Sequence, residues 1–278
     1  RHRDPVPASQ GAQGPEAGRV ARDPRLGRRA LRVPSSRPSA PPRRGETGMR
    51  YPFVLLDAGG TLIGPRESWG AVYAGVLRRL GLDRRVWTEM ERTVPLGVDR
   101  YGLFDGGEDG YWLRFVAGAI GHAADGEAPP GLAEKALPAL RQAFRVRSAW
   151  TVFPDVRETL ATLRLLGARL AIVSNWDSRL PHLLDVLDLD GFFDGVAVSH
   201  LLGFEKPDVR IFEAALAMIG GDRSRAIHVG DRPDLDLGGA RAAGIAAALV
   251  NRDGRLGPAA GALADLRALP SIVLEGRS

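Results

Sequence analysis

The chain has 278 residues, 44% of them hydrophobic, which is enough for one core domain and a smaller inserted one. It contains no cysteine, which excludes a disulfide framework and fits a reducing compartment, and no apolar run approaches the roughly 20 residues of a membrane span, so we expect a cytoplasmic protein without membrane contact. The net charge of +5 is concentrated in residues 1–48, whereas residues 49–278 hold 27 basic and 29 acidic residues, so we expect no nucleic acid binding by the folded part.

Residues 1–48 form an Arg- and Pro-rich leader with 11 Arg, 4 acidic residues and 8 of the 20 prolines. This composition buries too little apolar surface to offset the entropy of ordering, so we expect disorder. Three interpretations compete: a nucleic-acid-binding arm, an Arg-rich transit peptide, and an upstream stretch foreign to the natural protein. The apolar core of a secretory signal is absent. We favour the third interpretation because Met49 lies immediately before the first predicted strand.

Five short apolar runs predict parallel β-strands. Each run is continuous and ends at a polar turn, as in strands buried on both faces; they cover 51–56, 170–173, 195–198, 226–229 and 246–250. Between or after them the pattern predicts helices at 156–166, 179–187, 209–219 and 235–243. This alternation predicts an α/β fold with right-handed crossovers, whose ligands bind at the carboxyl ends of the strands.

Residues 65–150 interrupt this alternation and predict an inserted all-helical cap domain. One apolar stripe with helical spacing comprises Trp69, Val72, Tyr73, Val76, Leu77 and Leu80. Further helices are predicted near 86–94, 110–120 and 131–147. We therefore assign 49–64 and 151–278 to the core domain and 65–150 to a cap that closes over the site. A helical subdomain without a gating role is the alternative.

Four polar segments follow predicted strands or lie in the loops beyond them: 57–61, 174–175, 206–207, and 230–231 with Asp236. They offer a carboxylate nucleophile, a hydroxyl, a cation and a metal-binding carboxylate, which are the groups that phosphoryl transfer requires. Taken singly, segments 57–61 and 174–175 are also typical of a turn, a strand end or a helix N-cap. Their combination is what indicates a site.

Lys206 stands out because 36 of the 38 basic residues are Arg. A compact ammonium suits the bridging of a carboxylate and a phosphate oxygen better than a planar guanidinium does. The other lysine, Lys135, follows Glu134 on a predicted cap helix and is typical of a surface residue. Asp231 is suited to Mg²⁺, whereas Asp236 is suited either to Mg²⁺ or to the N-terminus of the next helix.

In this order and spacing, the four segments resemble the haloacid dehalogenase-like hydrolase superfamily with a helical cap of the first type, over about residues 51–250. Within this superfamily, residues 174–180 (Ser-Asn-Trp-Asp-Ser-Arg-Leu) are similar to the subgroup of haloacid dehalogenase-like hydrolase domain-containing protein 3. The resemblance implies a Rossmann-like core, Mg²⁺, an aspartyl-phosphate intermediate and a small phosphorylated metabolite as substrate. Implied roles are catalysis by Asp57 and Lys206, phosphate binding by Thr61, Ser174 and Asn175, and metal binding by Asp57, the Gly59 carbonyl, Asp231 and Asp236.

Position 59 departs from this pattern, because phosphatases of the superfamily usually place an Asp there to protonate the leaving oxygen. Loss of general acid–base help typically costs about 10² to 10⁴ in rate. Three classes therefore stay open: a Mg²⁺-dependent phosphatase that is slow or acts on good leaving groups, a dehalogenase or phosphonatase, and a non-catalytic phosphate-binding protein. We expect Gly59→Asp to raise turnover of ordinary phosphomonoesters if the backbone at Gly59 is not left-handed.

Overall fold

The computed structural model describes residues 48–82, 107–124, 126, 128–252, 254, 256 and 261–275. Residues 1–47 of the predicted leader and the helix predicted near 86–94 lie outside these residues. None of the helices in the described ranges combines the length and the apolarity needed to cross a bilayer.

A parallel five-stranded sheet forms the core, as predicted. The chain contains seven strands in its described part: Phe53–Leu56 (β1), Ile63–Pro65 (β2), Trp150–Val152 (β3), Arg169–Ser174 (β4), Gly195–Val198 (β5), Ala226–Gly230 (β6) and Ala246–Leu249 (β7). The order in the large sheet is β5-β4-β1-β6-β7, with every neighbouring pair parallel. Strand β1, which Asp57 directly follows, is therefore central.

Helices alternate with these strands and also form most of the insertion. They span Trp69–Arg79, Gly107–Ala124, Leu132–Ala143, Val156–Leu165, Leu180–Val186, Ser199–Leu202, Val209–Ile219, Gly239–Ala242 and Leu269–Glu275. The helix predicted at 235–243 begins instead as a π-helical turn, Pro233–Gly238. On Trp69–Arg79 the side chains of Tyr73, Val76 and Leu77 are buried, whereas Leu80 ends the helix as an exposed C-cap.

The insertion is not helical throughout, because its two ends pair as an antiparallel ribbon of β2 and β3. The register joins Ile63 to Val152 and Pro65 to Trp150. Each strand has only three residues, too few for a period of two to be recognised in the sequence. The ribbon places the entry and the exit of the cap side by side next to the end of β1.

Two hydrophobic clusters cover the two faces of the sheet. Alternate residues of β1 divide between them: Val54 and Leu56 belong to one cluster, Phe53 and Leu55 to the other. All four are buried, which explains why β1 is a continuous apolar run and not an alternating one. The first cluster also contains Tyr73 of the insertion, so the cap packs on that side of the core.

Candidate active site

Strand register brings three of the predicted site residues together. Leu56 at the end of β1 pairs with Ile172 of β4 and with Val229 of β6. The amide of the next residue, Asp57, donates to the Val229 carbonyl at 2.9 Å. Ser174 ends β4, and Asp231 directly follows β6. These side chains therefore meet at the carboxyl edge of the sheet, as predicted for an α/β fold.

The Asp57 carboxylate is buried and held through only one of its oxygens. Its Oδ1 accepts hydrogen bonds from Ser174 Oγ at 2.8 Å and from Lys206 Nζ at 2.7 Å. Among the described residues none donates to Oδ2. Burial raises the pKa of Asp57, and the Lys206 ammonium opposes that rise. Asp57 thus has one fixed oxygen and one that is available to a ligand.

Lys206 joins Asp57 to a second buried carboxylate, Asp236. The lysine is only 3% exposed, and its Nζ lies 2.5 Å from Asp236 Oδ1. The same Oδ1 contacts His228 Nε2 at 2.9 Å, while Oδ2 accepts from the Arg232 amide at 2.9 Å. Burial opposes ionisation of both partners, but their mutual attraction outweighs it, raising the pKa of Lys206 and lowering that of Asp236. Both oxygens of Asp236 are therefore already engaged within the protein.

Asn175 and Thr61, both predicted to bind phosphate, have other surroundings in the structure. The Asn175 amide bonds twice to the Lys206 backbone: Oδ1 accepts from the Lys206 amide at 2.7 Å, and Nδ2 donates to its carbonyl at 3.0 Å. Thr61 is fully buried and is absent from the cavity wall formed by described residues. Phosphate binding by these two residues stays a prediction.

Asp231 approaches the loop after β1 at a point where only glycine fits. Gly60 has a φ of +73°, and a Cβ on it would lie 2.3 Å from Asp231 Oδ2. Carboxylate oxygens of Asp57, Asp231 and Asp236 lie within 4.8 Å of one another. Burial, together with the charges of Asp57 and Asp236, raises the pKa of Asp231 to about 7. This excess of negative charge fits a divalent cation.

Gly59 lies against an indole ring that the sequence analysis did not single out. A Cβ on Gly59 would lie 3.0 Å from Cζ3 of Trp176, closer than ordinary van der Waals contact. The φ of Gly59 is outside the left-handed region, so the crowding comes from the ring and not from the backbone. Trp176 immediately follows Asn175, and it belongs to the segment 174–180 that carries the resemblance to the family. The next residue, Asp177, is fully buried, and both of its carboxylate oxygens accept hydrogen bonds from Arg179.

A cavity of about 890 Å³ opens over these residues between the core and the cap. Asp57, Ser174, Lys206 and Asp231 all contribute to its wall. Four of the five tryptophans of the chain line it as well: Trp69, Trp112, Trp150 and Trp176. The cavity therefore combines a charged floor with a strongly aromatic wall.

Arg252 is a further residue that sequence reasoning missed. Its Nε and Nη2 donate to the Thr61 carbonyl at 2.9 and 2.7 Å, and its Nη1 and Nη2 donate to the Asp155 carboxylate at 2.8 and 2.9 Å. The guanidinium also lies 4.1 Å from the centre of the Phe153 ring. Asp155 in turn accepts from the Leu266 amide at 2.7 Å. Arg252 thus connects the loop that carries Asp57 to the rest of the core.

Arg252→Gln is expected to lower the free energy of unfolding by about 3 kcal/mol, because Asp155 would then be a buried carboxylate without its cation. Urea denaturation followed by tryptophan fluorescence measures this. Arg267→Gln is the control, since Arg267 pairs with Asp265 at the surface and should cost less than about 1 kcal/mol. Equal losses of unfolding free energy in the two variants would contradict a structural role for the Arg252 guanidinium.

Comparison with known proteins agrees with this geometry. A family model described as haloacid dehalogenase-like hydrolase matches residues 51–244. The chain belongs to this hydrolase family. That membership confirms both the resemblance predicted from the motifs and the prediction of a hydrolase. It also accounts for a parallel core sheet interrupted by a helical cap.

The chain is similar to individual proteins both in sequence and in structure. Haloacid dehalogenase-like hydrolase domain-containing protein 3 of Bos taurus is 32% identical over 216 residues, covering 74% of this chain and 84% of that protein. Phosphoglycolate phosphatase of Caulobacter vibrioides is 35% identical over 162 residues, covering 58% and 67%. The crystal structure of a HAD phosphatase from Thermococcus onnurineus matches with a TM-score of 0.58 and 24% identity, covering 81% and 98%, which shows a shared fold.

Proposed function

We propose that this protein is a Mg²⁺-dependent phosphatase that hydrolyses a small phosphorylated metabolite through an aspartyl-phosphate on Asp57. The observation that carries the proposal is the one-sided binding of the buried Asp57 carboxylate by Ser174 and Lys206, which leaves its second oxygen available. A phosphatase name among the family relatives supports the same class of reaction. Since the chain has no cysteine, we propose a cytoplasmic location.

In this mechanism Oδ2 of Asp57 attacks phosphorus, the bond from phosphorus to the leaving oxygen breaks, and that oxygen takes the electron pair. Water then attacks the aspartyl-phosphate, releasing inorganic phosphate and restoring the carboxylate. Lys206 opposes protonation of Asp57 and presents positive charge to the transferring group. Asn175 fixes the backbone of Lys206, and Asp236 holds its ammonium.

Asp57 and Asp231, together with the Gly59 carbonyl, would hold Mg²⁺, and the Thr61 and Ser174 hydroxyls remain proposed phosphate contacts. When bound, Mg²⁺ would neutralise charge on the phosphoryl oxygens. The raised pKa values of Asp57 and Asp231 support this set: burial raises both, neighbouring carboxylates add to the rise, and a bound cation would favour the ionised forms. Asp236 was expected to be a ligand too, but its engaged oxygens favour a role in holding Lys206.

Mg²⁺ affinity is expected to rise about tenfold between pH 6 and pH 8. With a pKa of about 7, Asp231 is largely protonated at pH 6, and that proton must leave before the metal binds. Isothermal titration calorimetry of the ligand-free protein with MgCl₂ at both pH values measures the change. The Asp231→Asn variant should bind Mg²⁺ weakly at both pH values. A wild-type Mg²⁺ affinity that is constant between pH 6 and pH 8 would contradict the assignment of Asp231 as a metal ligand.

A direct test of the proposed function is phosphate release from acetyl phosphate and from p-nitrophenyl phosphate, with MgCl₂ or with EDTA. We expect turnover of both substrates only with MgCl₂. Halide release from a 2-halo acid is expected to be absent. Folded protein that binds Mg²⁺ but releases phosphate from neither substrate would instead favour the non-catalytic binding protein.

Gly59→Asp alone is now expected to give little gain with alkyl phosphates, because the new Cβ would press against Trp176. Combining it with Trp176→Leu should release that contact. We expect the double variant to exceed Trp176→Leu by about 10²- to 10³-fold in kcat/KM for an alkyl phosphate, within the range of general acid–base catalysis. A full gain from Gly59→Asp in the presence of Trp176 would show that the indole moves aside freely.

A further inference from the structure

The cavity wall is aromatic beside the loop that carries Asp57. Trp176 contacts the position of a Cβ on Gly59, two residues after Asp57. Its ring packs against Trp150 with centroids 5.5 Å apart, and Trp150 packs against Trp69 at 5.6 Å. Trp69 continues the contact to Phe144 at 5.1 Å. All four rings line the cavity, so an aromatic surface runs from the cap down to the reaction centre.

Gly59, Trp176 and Asp177 do not supply a proton to a leaving oxygen. Gly59 has no side chain, and an indole N–H is a donor that does not ionise in water. Asp177, the carboxylate that follows Trp176, is buried, and both of its oxygens are engaged by Arg179. These three residues beside the leaving-group position therefore favour substrates whose leaving group departs without protonation.

Two requirements follow for the leaving group: it must be stable as an anion, and it must fit against an aromatic ring. A phenol meets both requirements, because it is aromatic and its hydroxyl has a pKa of about 10, compared with about 16 for the hydroxyl of water. Packing of the substrate ring against the indole should raise the binding affinity roughly 2- to 10-fold. An acyl phosphate or a phosphoanhydride meets the first requirement but would place a carboxylate or phosphate against the indole.

We propose that the preferred substrates are aryl phosphates, the phosphate monoesters of phenols, with the aromatic ring placed against Trp176. This rests on the proposed phosphatase function. Asp57 forms the new oxygen–phosphorus bond, the bond from phosphorus to the phenol oxygen breaks, and phenolate leaves with the electron pair. Phenolate then takes its proton from water outside the site. The aspartyl-phosphate is hydrolysed by a second water, so that atoms and charge balance.

Four substrates separate the two requirements. Phenyl phosphate has an aromatic and acidic leaving group, hexafluoroisopropyl phosphate an acidic one without a ring, and benzyl phosphate a ring on an alkyl oxygen. Acetyl phosphate tests phosphoryl transfer itself. With wild type and MgCl₂ we expect kcat/KM for phenyl phosphate to exceed that for hexafluoroisopropyl phosphate about tenfold and that for benzyl phosphate at least a hundredfold.

Variants then locate the aromatic preference at Trp176. Trp176→Leu should reduce the ratio of phenyl to hexafluoroisopropyl phosphate to about one, and Trp176→Phe, which retains a ring, should preserve it. Phe192→Leu, at a partly buried aromatic outside the cavity, is the control and should keep the wild-type ratio. Melting temperatures of all variants report folding, and Trp176→Phe keeps the comparison open if Trp176→Leu unfolds.

Distinct results would overturn the inference. Equal kcat/KM for phenyl and hexafluoroisopropyl phosphate, or an unchanged ratio in folded Trp176→Leu, would show that the ring contributes nothing. Benzyl phosphate turned over as well as phenyl phosphate would reveal a proton donor at the leaving oxygen. These outcomes leave the phosphatase proposal intact if acetyl phosphate is hydrolysed. Failure to hydrolyse acetyl phosphate as well would overturn the phosphatase proposal and the aryl phosphate preference together.

Discussion

Asp57→Asn is expected to lower phosphatase turnover by at least about 10⁴, as loss of a catalytic nucleophile does in other hydrolases. An amide keeps the shape of the side chain but has no oxygen able to form the aspartyl-phosphate. The fold should survive, because burial already disfavours the Asp57 anion and the neutral amide removes that penalty. We therefore expect a melting temperature at or above that of wild type. Phosphate release and thermal unfolding are the two measurements.

Asp185→Asn is the control for this substitution, since Asp185 is an exposed carboxylate on the helix Leu180–Val186. It should leave both turnover and melting temperature unchanged. If Asp57→Asn turned over substrate at the wild-type rate, the nucleophile would have to be another group. If it failed to fold, the carboxylate would have a structural role that the buried geometry does not indicate.

Lys206→Arg is expected to lose about 10² to 10³ in turnover, nearly as much as Lys206→Ala, although it keeps the positive charge. The lysine is 3% exposed, and its single nitrogen lies between Asp57 and Asp236 at 2.7 and 2.5 Å. A planar guanidinium is larger and cannot present one point charge to both carboxylates. Removing one oriented donor from a preorganised site costs a comparable factor.

Stability should distinguish the two substitutions of Lys206. Lys206→Ala leaves the buried carboxylates of Asp57 and Asp236 without their shared cation, and breaking such a pair costs about 3–5 kcal/mol. Lys206→Arg retains the charge, so overpacking of about 1–3 kcal/mol should dominate. Lys135→Arg, at the other lysine of the chain and exposed on the cap, is the matched control and should change neither quantity. Most of the wild-type turnover in Lys206→Arg would show that any cation suffices.

The fold was largely predictable because its determinants are local. Each core strand is a continuous apolar run, since both of its faces are buried, and each predicted strand was found with ends shifted by at most two residues. The carboxyl edge of a parallel sheet then places Asp57, Ser174 and Asp231 together without knowledge of any contact. Lys206 was recognisable from composition alone, as one of only two lysines.

The partners of these residues were not predictable, because they come from distant parts of the chain. Lys206 and Asp57 are 149 residues apart, and Arg252 and Thr61 are 191 apart, so no local periodicity reports either contact. Asn175 and Asp236 carry side chains suited to phosphate or metal, and only their three-dimensional neighbours show that both hold Lys206.

The sequence by itself thus determined the sheet and the order of the motifs and singled out Asp57 as the proposed nucleophile, because burial pattern and residue type are local properties of the sequence. Only the tertiary structure decided what surrounds that carboxylate. It placed the Trp176 indole beside Gly59 and closed the ribbon of β2 and β3 at the base of the cap. Both depend on how separate segments pack, and packing is settled by shape and volume across the whole core.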